Sequence, residues 1–318
     1  MFNSPEALVS ICIPTFNRSD FLRTCIESVR AQTYQMLEII VCDNASTDCT
    51  TEMLKNFPEV VLNQQTRNVG MVANWNSAVR LAHGMYCVLL SDDDILEPTF
   101  VEAVLSLLIT TDAEFAYCPV TIIDAAGNAI GESTCSPLLE SCADFVANTF
   151  ASKRVPYPSA IVFRKESAER VGLFSDIGNQ TDVAFRIALA ELNPGRNVAC
   201  LPTPLVRYRI HGTNLTDDPV KKAAGRIGFQ NWVIKRYPPT FRLARLACYD
   251  LLNLSSKGHK VLFPDSLTTQ GGWFGARVRY FIATKSRRRS LLVTLFPVLT
   301  LVHLLRLINT KTYHKRFC

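Results

Sequence analysis

The sequence predicts an α/β protein built on a mostly parallel sheet flanked by helices, and three observations carry that expectation. From Val9 to about Leu90, short apolar runs alternate with helix-period segments, the pattern of successive strand and helix units. The run Met85-Tyr86-Cys87-Val88-Leu89-Leu90 is apolar on both faces, as suits a central strand covered on either side. With 318 residues, 48% of them hydrophobic and 19% charged, the chain can bury enough apolar surface to offset its ordering entropy, which excludes a disordered polypeptide.

The elements follow in order. Val9-Ser10-Ile11-Cys12-Ile13 is the first strand and Pro14 ends it. Ser19 or Asp20 can cap a helix whose apolar positions Phe21, Leu22, Cys25, Ile26 and Val29 recur at helical spacing. Leu37 to Cys42 is the second strand, stopped by the turn formers Asp43-Asn44-Ala45-Ser46. A helix over Asp48 to Phe57, a strand Val60-Val61-Leu62 and a helix buried through Val72, Trp75, Val79 and Ala82 lead to the central strand Met85 to Leu90. After Pro98 come a helix (Phe100 to Ile109), a strand (Phe115 to Cys118) and a turn around Asp124 to Gly127. A strand at Ala160 to Phe163 and a helix from about Asp182 to Glu191 complete the body. No internal repeat or low-complexity linker divides it. Three segments are expected: 1–125, 126–220, and a helical C-terminal region 221–318 with a tail at about 285–318.

The net charge of +6 is unevenly spread. Arg277, Arg279, Lys285, Arg287, Arg288, Arg289, Arg306, Lys311, Lys315 and Arg316 lie in a terminal stretch without Asp or Glu, so the body is near neutral and nucleic acid is not an expected partner. Several of the eleven cysteines (Cys12, Cys42, Cys87, Cys118) sit inside apolar runs, where Cys acts as a small hydrophobe. No C-x-x-C pair is present, and an odd count without a secretory signal favours a reducing compartment.

The acidic run Ser91-Asp92-Asp93-Asp94 begins where the central strand ends. Three adjacent carboxylates repel one another, and a hard divalent ion completed by substrate phosphates would relieve them. The alternative is a solvated acidic turn before the next helix. Ligands of open α/β sheets gather outside the carboxyl ends of the strands, so Thr15, Asp43 and Asp92 to Asp94 are expected to line one crevice.

Five ordered blocks sharpen this reading: Ser10-Ile11-Cys12-Ile13-Pro14-Thr15-Phe16-Asn17-Arg18, Val41 to Asp48, Arg67-Asn68-Val69-Gly70 with Asn76, Ala82-His83-Gly84, and Leu89 to Asp94. Together they resemble the family 2 glycosyltransferases of the GT-A fold, strongly over the first hundred residues and more weakly to about residue 215. The resemblance implies a Rossmann-like sheet, a nucleotide-sugar donor and a divalent metal, Mn²⁺ or Mg²⁺. It implies that Pro14, Thr15 and Phe16 flank the nucleotide base with Asn17 and Arg18 in the same loop, and that Asp43 accepts a hydrogen bond from the base. Asn68 would contact the nucleotide or fix its loop, and Gly70 would permit a tight backbone approach. Asp92 and Asp93 would meet the nucleotide, with Asp92 and Asp94 as metal ligands. Many family members place an Asp where Ser91 stands, so the ligating carboxylate stays open at this point.

Further along, Gln180-Thr181-Asp182-Val183-Ala184-Phe185-Arg186 resembles the family segment in which an acidic residue opens a helix, implying Asp182 as the catalytic base. As a bare pattern it is an N-terminal carboxylate paired with Arg186 one turn on. Tyr208-Arg209-Ile210-His211 looks like the segment whose His reaches metal or diphosphate, with Arg207 and Arg209 as alternative phosphate partners.

No G-x-G-x-x-G and no G-x-x-x-x-G-K-[ST] is found, which speaks against dinucleotide and ATP cradles. Pro14 to Arg18 lacks the glycine-rich loop of sugar-phosphate nucleotidyltransferases, the runner-up reading. A non-catalytic membrane-bound sugar-nucleotide-binding protein is the other. The tail run Ser290 to Asn309 is apolar but broken by Pro297, His303 and Arg306 and basic on both flanks, so an interfacial helix on anionic lipid is expected rather than a simple span. The expectation is an inverting transferase moving one sugar to a lipid-linked saccharide acceptor in polysaccharide or O-antigen assembly, peripheral or monotopic at the cytoplasmic face of the inner membrane.

Overall fold

The computed structural model describes residues 7–134, 138–150, 156–212 and 219–237, together with three short strands nearer the C-terminus. The chain divides into two units, residues 1–149 with 154–229, and residues 150–153 with 230–318.

In the first unit, β1 (Val9–Thr15), α1 (Ser19–Arg30), β2 (Leu37–Asp43), α2 (Thr50–Leu54), β3 (Val60–Gln64), α3 (Met71–Leu81) and β4 (Tyr86–Leu89) appear in the expected order. Strands β3, β2, β1 and β4 are neighbours and run parallel. Ile11, Ile13, Val41, Val88 and Leu90 fill the core from this sheet and Leu22, Cys25, Ile26 and Val29 from α1. Removing such side chains from water is worth about 1.5–3 kcal/mol for each large aliphatic. Cys12, Cys25, Cys42, Cys87 and Cys118 are buried free thiols.

Two local expectations change. The N-cap of α1 is Arg18, and the Ser19 N–H is satisfied by Asp48 Oδ2 at 3.1 Å, so the cap comes from the next loop rather than from Ser19 or Asp20. Trp75 is half-buried and meets Phe174 edge-on at 5.4 Å.

Beyond β4 lie β5 (Ile95–Leu96), α4 (Phe100–Thr110), β6 (Phe115–Tyr117), β7 (Val120–Ile123), β8 (Ala129–Glu132), β9 (Leu139–Ser141) and α5 (Cys142–Phe150). A 3₁₀ turn (Pro158–Ala160) leads into β10 (Ile161–Arg164), followed by α6 (Lys165–Arg170), α7 (Thr181–Leu192), β11 (Asn197–Cys200), β12 (Val206–Arg209) and α8 (Pro219–Arg236). The main sheet has the order β3-β2-β1-β4-β10-β6-β11-β9. It is mixed rather than mostly parallel throughout, because β10 runs antiparallel to both β4 and β6 and β9 antiparallel to β11. A second sheet, β5-β12-β7-β8, brings Arg207 beside Ile95, next to the acidic run.

In the second unit, β13 (Lys260–Leu262), β14 (Arg279–Ala283) and β15 (Leu291–Thr294) form an antiparallel sheet. The C-terminal region was expected to be helical. Tyr280-Phe281-Ile282 and Leu291-Leu292-Val293-Thr294 are instead strands, as their aromatic and β-branched residues favour, and an apolar run reads alike for a buried helix or strand. The rest of the apolar tail, and Arg287 to Arg289, lie outside the described residues. Among the described residues no helix is long and apolar enough to cross a membrane.

Candidate active site

The parallel register sets Thr15, at the end of β1, beside Asp43, at the end of β2. The ladder from Leu90 N–H to Cys12 O holds the end of β4 level with them, so Asp92, Asp93 and Asp94 emerge at the same edge. Thr15, Asp43 and all three aspartates of the run are buried. The acidic run is therefore not a solvated turn.

Each aspartate has its own partners. Asp92 accepts from Thr15 Oγ1 at 2.7 Å and from Arg18 Nη1 at 3.1 Å. Asp93 Oδ2 accepts from the same Arg18 nitrogen at 2.6 Å and lies 2.9 Å from His211 Nε2. Asp94 is wholly inside, its Oδ2 bonded to Ser159 Oγ at 2.5 Å and its Oδ1 to the Arg209 N–H at 2.9 Å. Burial first, then repulsion from Asp93, raises the Asp92 carboxyl to about 6, against the pull of Arg18 and Thr15. The same two causes push Asp94 well above the ordinary carboxylate range.

Asp93 and His211 have the donor chemistry of a divalent-ion site. Asp93 Oδ2 and His211 Nε2 are hydrogen-bonded to each other at 2.9 Å, a separation that adjacent ligands of an octahedral ion with bonds of about 2.1 Å would also have. Phe21 fixes the imidazole by stacking at 5.2 Å between ring centres. Among the described residues no three His, Cys, Asp or Glu side chains form a ready cage. A Mg²⁺ or Mn²⁺ held by such a pair takes its remaining ligands from water and phosphate.

The loops after β1 and β2 lace together. Asn17, at φ 55°, receives the Thr47 N–H on its Oδ1 at 2.7 Å and donates its own N–H to Ser46 Oγ at 2.8 Å. Asp43 is fixed by Ser46 N–H at 3.0 Å and Gln64 Nε2 at 3.3 Å. Pro14 is half-buried and Phe16 exposed beside them. Asn68 Oδ1 accepts from Asn44 Nδ2 and the Gly70 N–H, so it ties the β2 and β3 loops. Gly70 has φ 89° with nothing within 4 Å of where a Cβ would stand, so backbone conformation and not a close approach requires glycine.

Asp182 lies in the first turn of α7 and bonds Arg186 Nη1 at 2.8 Å. Arg186 is 1% exposed and also donates to the Pro156 carbonyl. Tyr208 packs against Tyr157 at 4.4 Å between ring centres. Burial raises its phenol most, followed by the charges of Asp94, Asp93, Tyr157 and Asp182.

Arg207 and Arg209, considered as phosphate partners, are otherwise engaged. Arg207 pairs with Glu97 at 2.6 Å, and Arg209, 5% exposed, donates to the carbonyls of Asp93, Asp124 and Ala125. Ser159 and the Tyr157–Tyr208 pair, 4.4 Å between ring centres, went unread in the sequence. The short Pro156-Tyr157-Pro158-Ser159 segment before β10 was the available signal.

Residues 10–172, just over half of the chain, match the family described as Glycosyl transferase family 2. Abequosyltransferase RfbV of Salmonella typhimurium is 35% identical over 119 residues, 35% of this chain and 35% of its own. The S. aureus TarS 1-349 structure in complex with UDP-GlcNAc superposes with a TM-score of 0.64 at 15% identity, covering 78% of this chain and 73% of that one. Mannosyltransferase PcManGT from Pyrobaculum calidifontis, with GDP-Man and Mn2+, gives 0.55 at 18% identity, covering 80% and 76%. These structures share the fold. The matches to the curated relatives span about two fifths of their length or less.

Proposed function

The chain belongs to glycosyl transferase family 2, and from that premise we propose that it is an inverting, metal-dependent glycosyltransferase that moves one sugar from a nucleotide-sugar to a saccharide hydroxyl. The observation that carries this is the convergence of Thr15, Asp43 and the buried acidic run at one sheet edge, with Asp93 paired to His211.

In this reading Pro14, Thr15 and Phe16 border the base, and Asp43, its carboxylate held by Ser46 and Gln64, accepts from the base edge. Asn17 and Asn68 keep the surrounding loops in place. Asp92 faces the ribose side through its anchor on Thr15. Of the expected ligands Asp92, Asp94 and His211, this reading keeps His211 and pairs it with Asp93, its neighbour at 2.9 Å, to hold the divalent ion, while Asp94 is bonded to Ser159 and Arg209 between the two sheets. When bound, that ion supplies positive charge against the departing nucleoside diphosphate. Asp182, oriented by Arg186, takes the proton of the acceptor hydroxyl as its oxygen bonds the anomeric carbon. The bond from that carbon to the phosphate oxygen breaks on the opposite side, the nucleoside diphosphate leaves with the electron pair, and the configuration inverts.

We further assign it to cell-surface polysaccharide assembly on a lipid-linked acceptor, at the cytoplasmic face of the inner membrane. Support comes from RfbV, named an abequosyltransferase, and from the basic apolar tail. A panel of UDP, GDP, dTDP and CDP sugars with Mn²⁺ tests the activity by nucleotide release. One donor should be turned over and a chelator should abolish turnover. No release from any donor with a saccharide acceptor present would sink the reading. Deleting residues after Thr284 should move the protein to the soluble fraction, and equal partitioning would remove the tail's role.

A further inference from the structure

Arg18 occupies the place where the ion's charge is needed. Its Nη1 touches Asp93 Oδ2 at 2.6 Å and Asp92 Oδ1 at 3.1 Å, and that Asp93 oxygen is the one facing His211 Nε2. An ion about 2.1 Å from this oxygen would stand no more than about 4.7 Å from the guanidinium nitrogen, even with the three atoms in line. A dication and a guanidinium on one carboxylate oxygen repel, so each weakens the hold of the other.

The backbone around Arg18 is pinned. Asn17 is bonded to Ser46 and Thr47, Ser19 to Asp48, and the Arg18 carbonyl receives the Leu22 N–H at 2.9 Å. The side chain is 24% exposed, and rotation about its own bonds, with the loop unmoved, is enough to carry it off Asp92 and Asp93. An incoming diphosphate offers the oxygens that a guanidinium binds best.

Resting on the assignment of Asp93 and His211 as ion ligands, we propose that Arg18 is an exchangeable internal cation. It neutralises Asp92 and Asp93 while the ion is absent, and turns onto the donor's diphosphate when the ion enters. Ion and donor are thereby bound as a pair, each weakly alone. Arg18 is a positioning residue for the donor and a competitor of the free ion.

The test measures Mn²⁺ binding by electron paramagnetic resonance on the full chain, with no nucleotide and with UDP or GDP. Arg18→Gln should bind Mn²⁺ alone at least about tenfold more tightly than the wild type. It should bind the nucleoside diphosphate at saturating Mn²⁺ at least about tenfold more weakly, losing the mutual enhancement. Arg18→Lys, with a shorter reach, should shift both affinities in the same directions by about threefold and serves if the Gln variant does not fold. Unchanged or weaker binding of Mn²⁺ alone in the variants, with wild-type enhancement by the nucleotide intact, overturns the exchange and leaves the ion site standing. If no protein retains Mn²⁺ under any condition, the ion site falls and the exchange with it.

Discussion

Replacing Asp182 by Asn separates the proposed base from its structural setting. The carboxylate bonds Arg186 at 2.8 Å, with side-chain exposures of 22% for Asp182 and 1% for Arg186. Among the described residues, Arg186 Nε and Nη2 find no hydrogen-bond partner, so the guanidinium leans on Asp182 for its countercharge. Removing one member of a buried pair costs about 3–5 kcal/mol. Here Asn still offers an oxygen to Arg186 and the site is partly wet, so a loss of about 1–3 kcal/mol is expected. A domain stable by about 5–15 kcal/mol stays folded after that loss. General base catalysis contributes about 10²–10⁴ in rate, which is about 2.7–5.4 kcal/mol of barrier. The two effects therefore fall in different measurements. Asp182→Asn should unfold at slightly lower denaturant, bind the nucleoside diphosphate as the wild type does, and transfer sugar at least about a hundredfold more slowly at saturating donor and acceptor. A folded variant transferring within about threefold of the wild-type rate would refute the base assignment.

Three further outcomes concern the frame of the site. At Gly84 an added Cβ would stand 2.6 Å from Ser10 Oγ, 2.7 Å from Leu8 O and 2.8 Å from Ser10 N, so Gly84→Ala should lose about 1–3 kcal/mol in urea unfolding, and a neutral result would show that the β4 entry can shift. Burial alone would raise the Glu38 carboxyl, but hydrogen bonds from Ser10, His83 and Gly84 prevail and hold it below its ordinary 4.5. Its stabilisation is accordingly present above about pH 4.5 and lost as pH falls through the lower folded value. Glu38→Gln should then be less stable than wild type by about 1 kcal/mol at pH 7, with the gap closing below pH 4.5; a gap constant with pH would contradict this. Asn17 combines φ 55° with a side-chain bond to Thr47, so Asn17→Ala should destabilise by about 2 kcal/mol and Asn17→Gly by less, and equal losses would mean the left-handed backbone is not what asparagine provides.

The N-terminal half was legible because period reports burial. Ile11, Ile13, Leu22, Ile26, Val79 and Val88 are buried where strand or helix spacing put them. The strand ends at Thr15, Asp43 and Leu90 then fell level through parallel pairing. What sequence could not tell was direction. Ile161-Val162-Phe163 is an apolar run that would look the same parallel or antiparallel, and its insertion between β4 and β6 depends on contacts far along the chain. The different settings of the three aspartates were hidden for a related reason. After Leu90 the chain leaves the strand and turns, with Asp94 N–H bonded to Ser91 O, so alternation no longer says which carboxylate faces which way. Only the partners, Thr15, His211, Ser159 and Arg209, distinguish them, and three of the four lie 65 or more residues beyond the run.

Those partners explain why three acidic residues in a row are compatible with a stable fold. Asp94 joins the two sheets: Ser159 precedes β10 of the main sheet, and the Arg209 N–H belongs to β12 of the second. Asp92 ties the run back to β1 through Thr15. With its neighbours anchored on either side, Asp93 is held toward His211, whose ring is clamped by Phe21. The guanidinium of Arg209 lies over that same Phe21 ring at 5.1 Å, so the residue that bonds Asp94 also braces the histidine opposite Asp93. A change at Asp94 would therefore disturb the union of the sheets, whereas a change at Asp93 would touch its contact with His211, the proposed ion site, with the sheets still joined. Asp93→Asn should fold and lose Mn²⁺ affinity, while Asp94→Asn should lose stability first, and the reverse pattern would return the ion to Asp94.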